Sequence, residues 1–152
     1  MPLLKVVFVC TGNTCRSPMA AAMAAQIFAE AGLAAEVFSA GVSAIHGQPA
    51  SRNAVKVMAE GGLCLLSHRA AAISGHILED AVLVLTMTGS HRAVLLSDYP
   101  IMEGKVFTLA EYVGDDINIA DPFGGNANEY RECASQIRAL LELVAKKLYN
   151  AV

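Results

Sequence analysis

Val6-Val7-Phe8-Val9-Cys10-Thr11-Gly12-Asn13-Thr14-Cys15-Arg16-Ser17-Pro18 is the stretch from which the architecture is read. An apolar, β-branched run enters a short polar loop, and an alanine-rich segment follows. That order predicts a strand over Lys5–Val9 that hands Cys10 to a tight loop, and a helix opened by the loop. Ser17 is expected to cap this helix, with Pro18 at its first position. Met19, Met23 and Ile27 then share one face, and Gly32 ends the element.

Working outward, apolar runs alternate with helical patterns. Glu36–Ala40 reads as a second strand ending at Gly41. Ser51–Glu60 reads as a helix terminated by Gly61-Gly62, and Ser74–Glu79 as a short one. Ala81–Thr86 is continuously apolar up to its last residue, as befits a central parallel strand covered on both faces. A helix is expected over Ser90–Ser97 and a fourth strand over Lys105–Thr108. Asp115–Asn128 reads as a loop, with Pro122 and Gly124-Gly125. Tyr130, Cys133, Ile137, Leu140, Leu141, Val144 and Leu148 then step by three and four along a final helix. The alternation predicts an α/β fold: one doubly wound, four-stranded parallel sheet with helices on both faces, in a single domain over residues 1–152. Ligands in such sheets sit beyond the carboxyl ends of the strands, where Cys10 falls.

The 152 residues suit one core, and 55% of them are hydrophobic. Eleven basic residues against 14 acidic give a net charge of −3, and no basic run points to nucleic acid. No segment has the length and apolarity of a membrane span. The N-terminus lacks the pattern of a cleaved leader, so a reducing cytoplasmic setting is expected. Cys10, Cys15, Cys64 and Cys133 form no C-x-x-C pair and no His cluster completes a zinc site, so neither metal nor cofactor is expected. Cys64 and Cys133 read as core residues. His68 reads as a hydrogen-bonded structural residue, His46 and His91 as loop or helix-end polar groups, and His76 as surface.

The loop carries the chemistry. Helix N-termini attract anions because their first N–H groups lack partners and bear partial positive charge. The same field favours a thiolate over a thiol. Gly12 permits a tight curl, and Asn13 tolerates a left-handed conformation while tying the loop with its amide. Ser17 offers a hydroxyl to the Cys10 sulfur, and Arg16 a planar fork for two phosphate oxygens. Together the residues from Thr11 through Gly12, Asn13, Thr14 and Cys15 to Arg16 and Ser17 form a candidate phosphate cup. In-line attack by sulfur needs a proton for the leaving group. Asp121, in Asp121-Pro122-Phe123-Gly124-Gly125, is the candidate acid, with Phe123 at the entrance.

Cys10–Pro18, taken with Asp121-Pro122, resembles the low-molecular-weight protein tyrosine phosphatase family across nearly the whole chain. Ser39-Ala40-Gly41, Ser67-His68-Arg69 and Thr86-Met87-Thr88 before His91 add to the likeness. The resemblance implies the fold of that family, Cys10 as nucleophile, Arg16 as phosphate ligand and Asp121 as acid. It implies that Asn13, Ser17, Ser39 and His68 form a network holding the loop. It also implies that Cys15 can form a protective disulfide with Cys10. Thr14 replaces the aliphatic residue usual in tyrosine-specific members, and Phe123 follows Pro122 where a tyrosine is common. With Lys105–Leu109 and Glu111-Tyr112-Val113, these features resemble the bacterial protein-arginine phosphatases, making Thr14 and Phe123 candidate selectivity residues. Met19-Ala20-Ala21 departs from the family's Met-Ala-Glu pattern. The implied partners are phosphorylated proteins, and a monomer is expected. A tyrosine phosphatase, a thiol-linked arsenate reductase and a non-catalytic oxyanion-binding module are the alternatives. Cys64 and Cys133 supply no closely spaced relay for the second of these.

Overall fold

A computed structural model describes residues 3–152. The elements follow in the order β1 (Leu4–Cys10), α1 (Arg16–Glu30), β2 (Ala35–Gly41), α2 (Arg52–Glu60), α3 (Gly75–Leu78), β3 (Leu83–Thr86), α4 (Gly89–Asp98), β4 (Val106–Thr108), α5 (Leu109–Tyr112) and α6 (Ala127–Ala151). The four strands pair in parallel in the order β2-β1-β3-β4. The winding direction reverses between β1 and β3, and Cys10 is the last residue of β1 beside that switch point.

Alternation along β1 divides the core. Val6 and Phe8 belong to the larger apolar cluster, which includes residues of α1, α2, α5 and α6. Val7 and Val9 belong to a smaller one with Leu78, Leu95 and Val106. Helices therefore cover both faces, and all four residues of β3 are buried. In α1, Met19, Met23 and Ile27 are buried together as their spacing predicts. Its end is a Schellman motif. Gly32 has φ 77°, its N–H donates to Ala29 O at 3.1 Å, and Leu33 N–H donates to Phe28 O at 2.9 Å.

Several boundaries differ from expectation, each for a local reason. Ser17 does not cap α1. The helix begins at Arg16, and Ser17 lies inside its first turn with its hydroxyl turned toward Cys10. Pro18 is thus the third helical residue, where its missing N–H is still one that would lack a partner. β3 starts at Leu83 because Ala81 N–H closes a turn onto Leu78 O at 3.1 Å. The short helix α5 was not legible as such. It is held by a reciprocal cap in which Glu111 N–H donates to Thr108 Oγ1 at 2.9 Å and Thr108 N–H to Glu111 Oε1 at 3.0 Å. Cys64 is exposed, contrary to its reading as a core residue, because it follows the turn after α2. Cys133 is buried in α6.

Candidate active site

β1 ends in Cys10, and α1 opens at Arg16, so the chain must reverse within residues 11–15. Asn13 accomplishes the reversal. It is fully buried with φ 56°, a left-handed conformation that asparagine tolerates. Its side chain is saturated. Nδ2 donates to Ser17 Oγ at 2.8 Å and Ser39 Oγ at 3.0 Å, and Oδ1 accepts Ala71 N–H at 3.0 Å. His68 Nε2 lies 2.7 Å from the Asn13 carbonyl. Ser51 N–H and Ser43 N–H donate to the carbonyls of Thr14 and Thr11, both at 2.9 Å. Gly41 passes beneath, so close that an added Cβ would stand 2.4 Å from the Thr11 carbonyl oxygen.

These bonds occupy the carbonyls of Thr11, Asn13 and Thr14 and leave the loop amides free. None of the backbone N–H groups of residues 11–17 donates to another described residue. Ser17 Oγ receives the Asn13 amide, and its hydrogen is left for the Cys10 sulfur 2.9 Å away, with the Ala40 carbonyl more distant at 3.4 Å.

Arg16 is buried. Its Nη1 donates to Ile119 O at 2.9 Å. Nη2 lies 3.5 Å from both Thr11 Oγ1 and Asp121 Oδ2, and Nε is buried without a partner among the described residues. A buried guanidinium with one loose, half-exposed counterion is incompletely compensated, and an anion in the cup completes it.

The loop that carries Asp121 is fastened to the end of β3. Ile119 N–H donates to Met87 O at 3.2 Å, and Gly89 N–H donates to Asn118 Oδ1 at 2.9 Å. Asp121 thereby reaches the cup while Phe123 N–H bonds its Oδ1 at 3.1 Å. A cavity of about 330 Å³ opens over the loop, lined by Cys10, Thr11, Gly12, Thr14, Cys15, Arg16, Asp121 and Phe123, with Ser43, Ile45 and Gln48 completing its wall. Phe123 stands exposed at its mouth.

The structure brings every candidate site residue of the sequence to this one place. It also adds residues that the sequence did not assign to the site. His91 Nε2 lies 2.8 Å from Thr11 Oγ1. The signal available for it was Thr88-Gly89-Ser90-His91, a capping pattern directly after a strand. Burial, and then the nearby Arg16 charge, hold the His91 pKa down to about 4. Tyr130 and Ser51 gather around Cys15. Its Sγ lies 3.2 Å from Tyr130 Oη and 3.4 Å from Ser51 Oγ. Tyr130 had been legible only as part of an apolar stripe; burial, then its bond to Cys15, pushes its pKa up to about 12. Burial likewise pushes the Cys133 thiol up to about 12, leaving it protonated and unreactive.

The comparisons with known proteins agree with this geometry. Residues 5–152 match the family described as low molecular weight phosphotyrosine protein phosphatase. The chain is 40% identical over 146 residues to a protein-arginine-phosphatase of Bacillus subtilis, covering 95% of this chain and 97% of that one. It is 38% identical over 145 residues to the low molecular weight protein-tyrosine-phosphatase PtpB of Staphylococcus epidermidis, covering 95% and 99%. A solved YwlE arginine phosphatase, a cysteine-to-serine mutant with its active-site serine phosphorylated, superposes with a TM-score of 0.93 at 39% identity, covering 96% of each chain. The match over nearly its full length, with the thiol, the guanidinium and the carboxylate converging on one cup, makes this chain a member of the low-molecular-weight phosphotyrosine protein phosphatase family.

Proposed function

We propose that this protein is a cysteine-dependent phosphatase that removes the phosphoryl group from phosphoarginine in proteins. The observation that carries the reading is the ring of unpartnered amides over residues 11–17, closed by Arg16 and placed at the Cys10 sulfur. Such a ring matches three phosphoryl oxygens and strengthens as charge develops on them in the transition state.

In the first step Cys10 Sγ attacks phosphorus and the phosphorus–nitrogen bond breaks. Asp121 gives its proton to the departing nitrogen, so that a guanidinium leaves rather than an unprotonated guanidine. The sulfur is now bonded to phosphorus as phosphocysteine. In the second step Asp121, ionised, takes a proton from water. The water oxygen attacks phosphorus, the sulfur–phosphorus bond breaks, and Cys10 is restored as thiolate with release of inorganic phosphate. Ser17 stabilises the sulfur in both resting and leaving states through its hydroxyl.

Selectivity rests on Thr14 and Phe123. Thr14 supplies a hydroxyl in the cavity wall, suited to a polar guanidinium, and the exposed Phe123 ring suits the aliphatic stem of an arginine side chain. The identity to a protein-arginine-phosphatase supports this substrate; the similar identity to PtpB favours phosphotyrosine as the second reading. Phosphoarginine and phosphotyrosine peptides of one sequence, assayed side by side, decide between them. The expected outcome is a higher kcat/KM on phosphoarginine, with both activities lost in Cys10→Ser. Preference for phosphotyrosine selects the second reading, and full activity of Cys10→Ser refutes the mechanism.

A further inference from the structure

His91 is buried at the start of α4, 80 positions from the loop it touches. Its two ring nitrogens face different partners. Nδ1 lies 3.2 Å from the backbone nitrogen of Thr88, which can only donate, and 3.1 Å from Thr88 Oγ1, which can donate as well as accept. The tautomer that keeps the Thr88 N–H bond has Nδ1 as acceptor and the proton on Nε2. That N–H donates to Thr11 Oγ1 at 2.8 Å.

Thr11 Oγ1 is thus approached by two donors, His91 Nε2–H and, more distantly, Arg16 Nη2–H at 3.5 Å. A hydroxyl oxygen accepts two hydrogen bonds, so its own hydrogen is the only part left to act. No acceptor for it exists among the described residues, and Thr11 lines the cavity.

We propose that His91 is a positioning residue of the phosphate cup: by donating to Thr11 Oγ1 it turns the Thr11 hydroxyl hydrogen toward the bound phosphoryl group. The cup then gains an O–H donor beside its ring of amides and beside Arg16. Without His91 the hydroxyl is free to rotate, and its hydrogen is shared with water. The inference rests on the phosphatase reading for its substrate but not for its geometry. The wall of the cup is the same whether the ligand is a substrate or a free anion.

Inorganic phosphate is therefore the probe. Its affinity is measured by calorimetry for wild type, T11V, H91A and the double variant, with melting temperature recorded for each. T11V weakens phosphate about tenfold, the worth of one hydrogen bond to a charged group, and H91A, which leaves the hydroxyl but no longer orients it, weakens phosphate by about 3- to 10-fold. The double variant is no weaker than T11V, because H91A acts only through the hydroxyl that T11V removes. T11S keeps the affinity. H91Q, whose amide accepts from Thr88 and donates to Thr11, recovers most of it. Losses that multiply in the double variant overturn the proposal.

The nitrogen NMR spectrum of the wild-type imidazole supplies a second readout that requires no substitution. Protonated Nε2 and bare Nδ1 at neutral pH are expected; the opposite tautomer overturns the assignment. A wild type that binds phosphate yet hydrolyses no phosphorylated peptide ends the phosphatase reading and leaves this one standing. A wild type that does not bind phosphate ends both.

Discussion

Thr14 is half-buried in the cavity wall, its hydroxyl 3.7 Å from Cys15 Sγ. An isoleucine there would trade a hydroxyl for apolar bulk, which suits an aromatic leaving group better than a guanidinium. In Thr14→Ile the ratio of phosphotyrosine to phosphoarginine activity should rise by about tenfold or more, the size of one lost or mismatched polar contact. Paired peptide kinetics read this ratio, and an unchanged ratio removes Thr14 from the selectivity argument. Asp121 invites a different test, since its proton matters most when the leaving group is poor. Asp121→Asn should lower kcat on phosphoarginine by roughly 10²–10⁴-fold while KM changes little, and should cost far less on an activated aryl phosphate. Cys10, Asn13, Arg16 and Ser17 were legible because their chemistry is compressed into one contiguous segment. His91, Ser51 and Tyr130 were not. Their partners lie 80, 36 and 115 positions away, and a local pattern such as the capping signal at His91 does not say which distant residue its side chain meets.

At the scale of elements, the strand–loop–helix unit and the last helix were plain from period and composition, whereas short elements and exact starts were not. Ser17 looked like a cap because serine before proline often is one; the competing demand was the sulfur of Cys10. β3 looked longer because Ala81 and Val82 are apolar, yet Val82 is 45% exposed and the turn after α3 takes Ala81. The start of α4 has a consequence for pH. Burial and the Arg16 charge hold the His91 pKa near 4, while Asp121 pulls it upward. In the unfolded chain an imidazole titrates near 6.5. Between those values the unfolded chain binds the extra proton, so this stabilising contribution is complete above about pH 6.5 and is lost as pH falls toward 4. Unfolding free energies from urea titrations at pH 7.5 and 4.5 should differ by roughly 1–3 kcal/mol more in wild type than in His91→Gln. Equal pH dependence in the two proteins would show that His91 is not held neutral by the fold.

Across the molecule, the cup is backed by the larger apolar cluster, which includes Cys10 and Cys15. The larger apolar cluster gathers α1, α2 and α6 on one face of the sheet, and Ile137 is wholly buried in it. Ile137→Ala should destabilise the protein by about 2–5 kcal/mol, read from denaturant midpoints. Its kcat at low temperature should stay near that of the wild type, because the hydrogen bonds that shape the cup do not involve Ile137. A large loss of kcat in fully folded Ile137→Ala would mean that the cup is held by the far side of α6 as well as by its own hydrogen bonds. The parallel order of the sheet was legible from alternation alone, since hairpins cannot join strands separated by helices.

The bond from Arg16 to the Ile119 carbonyl joins residues 103 positions apart. Ribosomes add about 5–20 residues per second, so the loop that holds Cys10 emerges roughly 5–20 s before the segment that brings the carboxylate. For that interval the nascent chain carries Cys10 without Asp121. Because α6 shares an apolar cluster with Cys10 and Cys15, the assembled pocket waits until the final helix has left the exit tunnel.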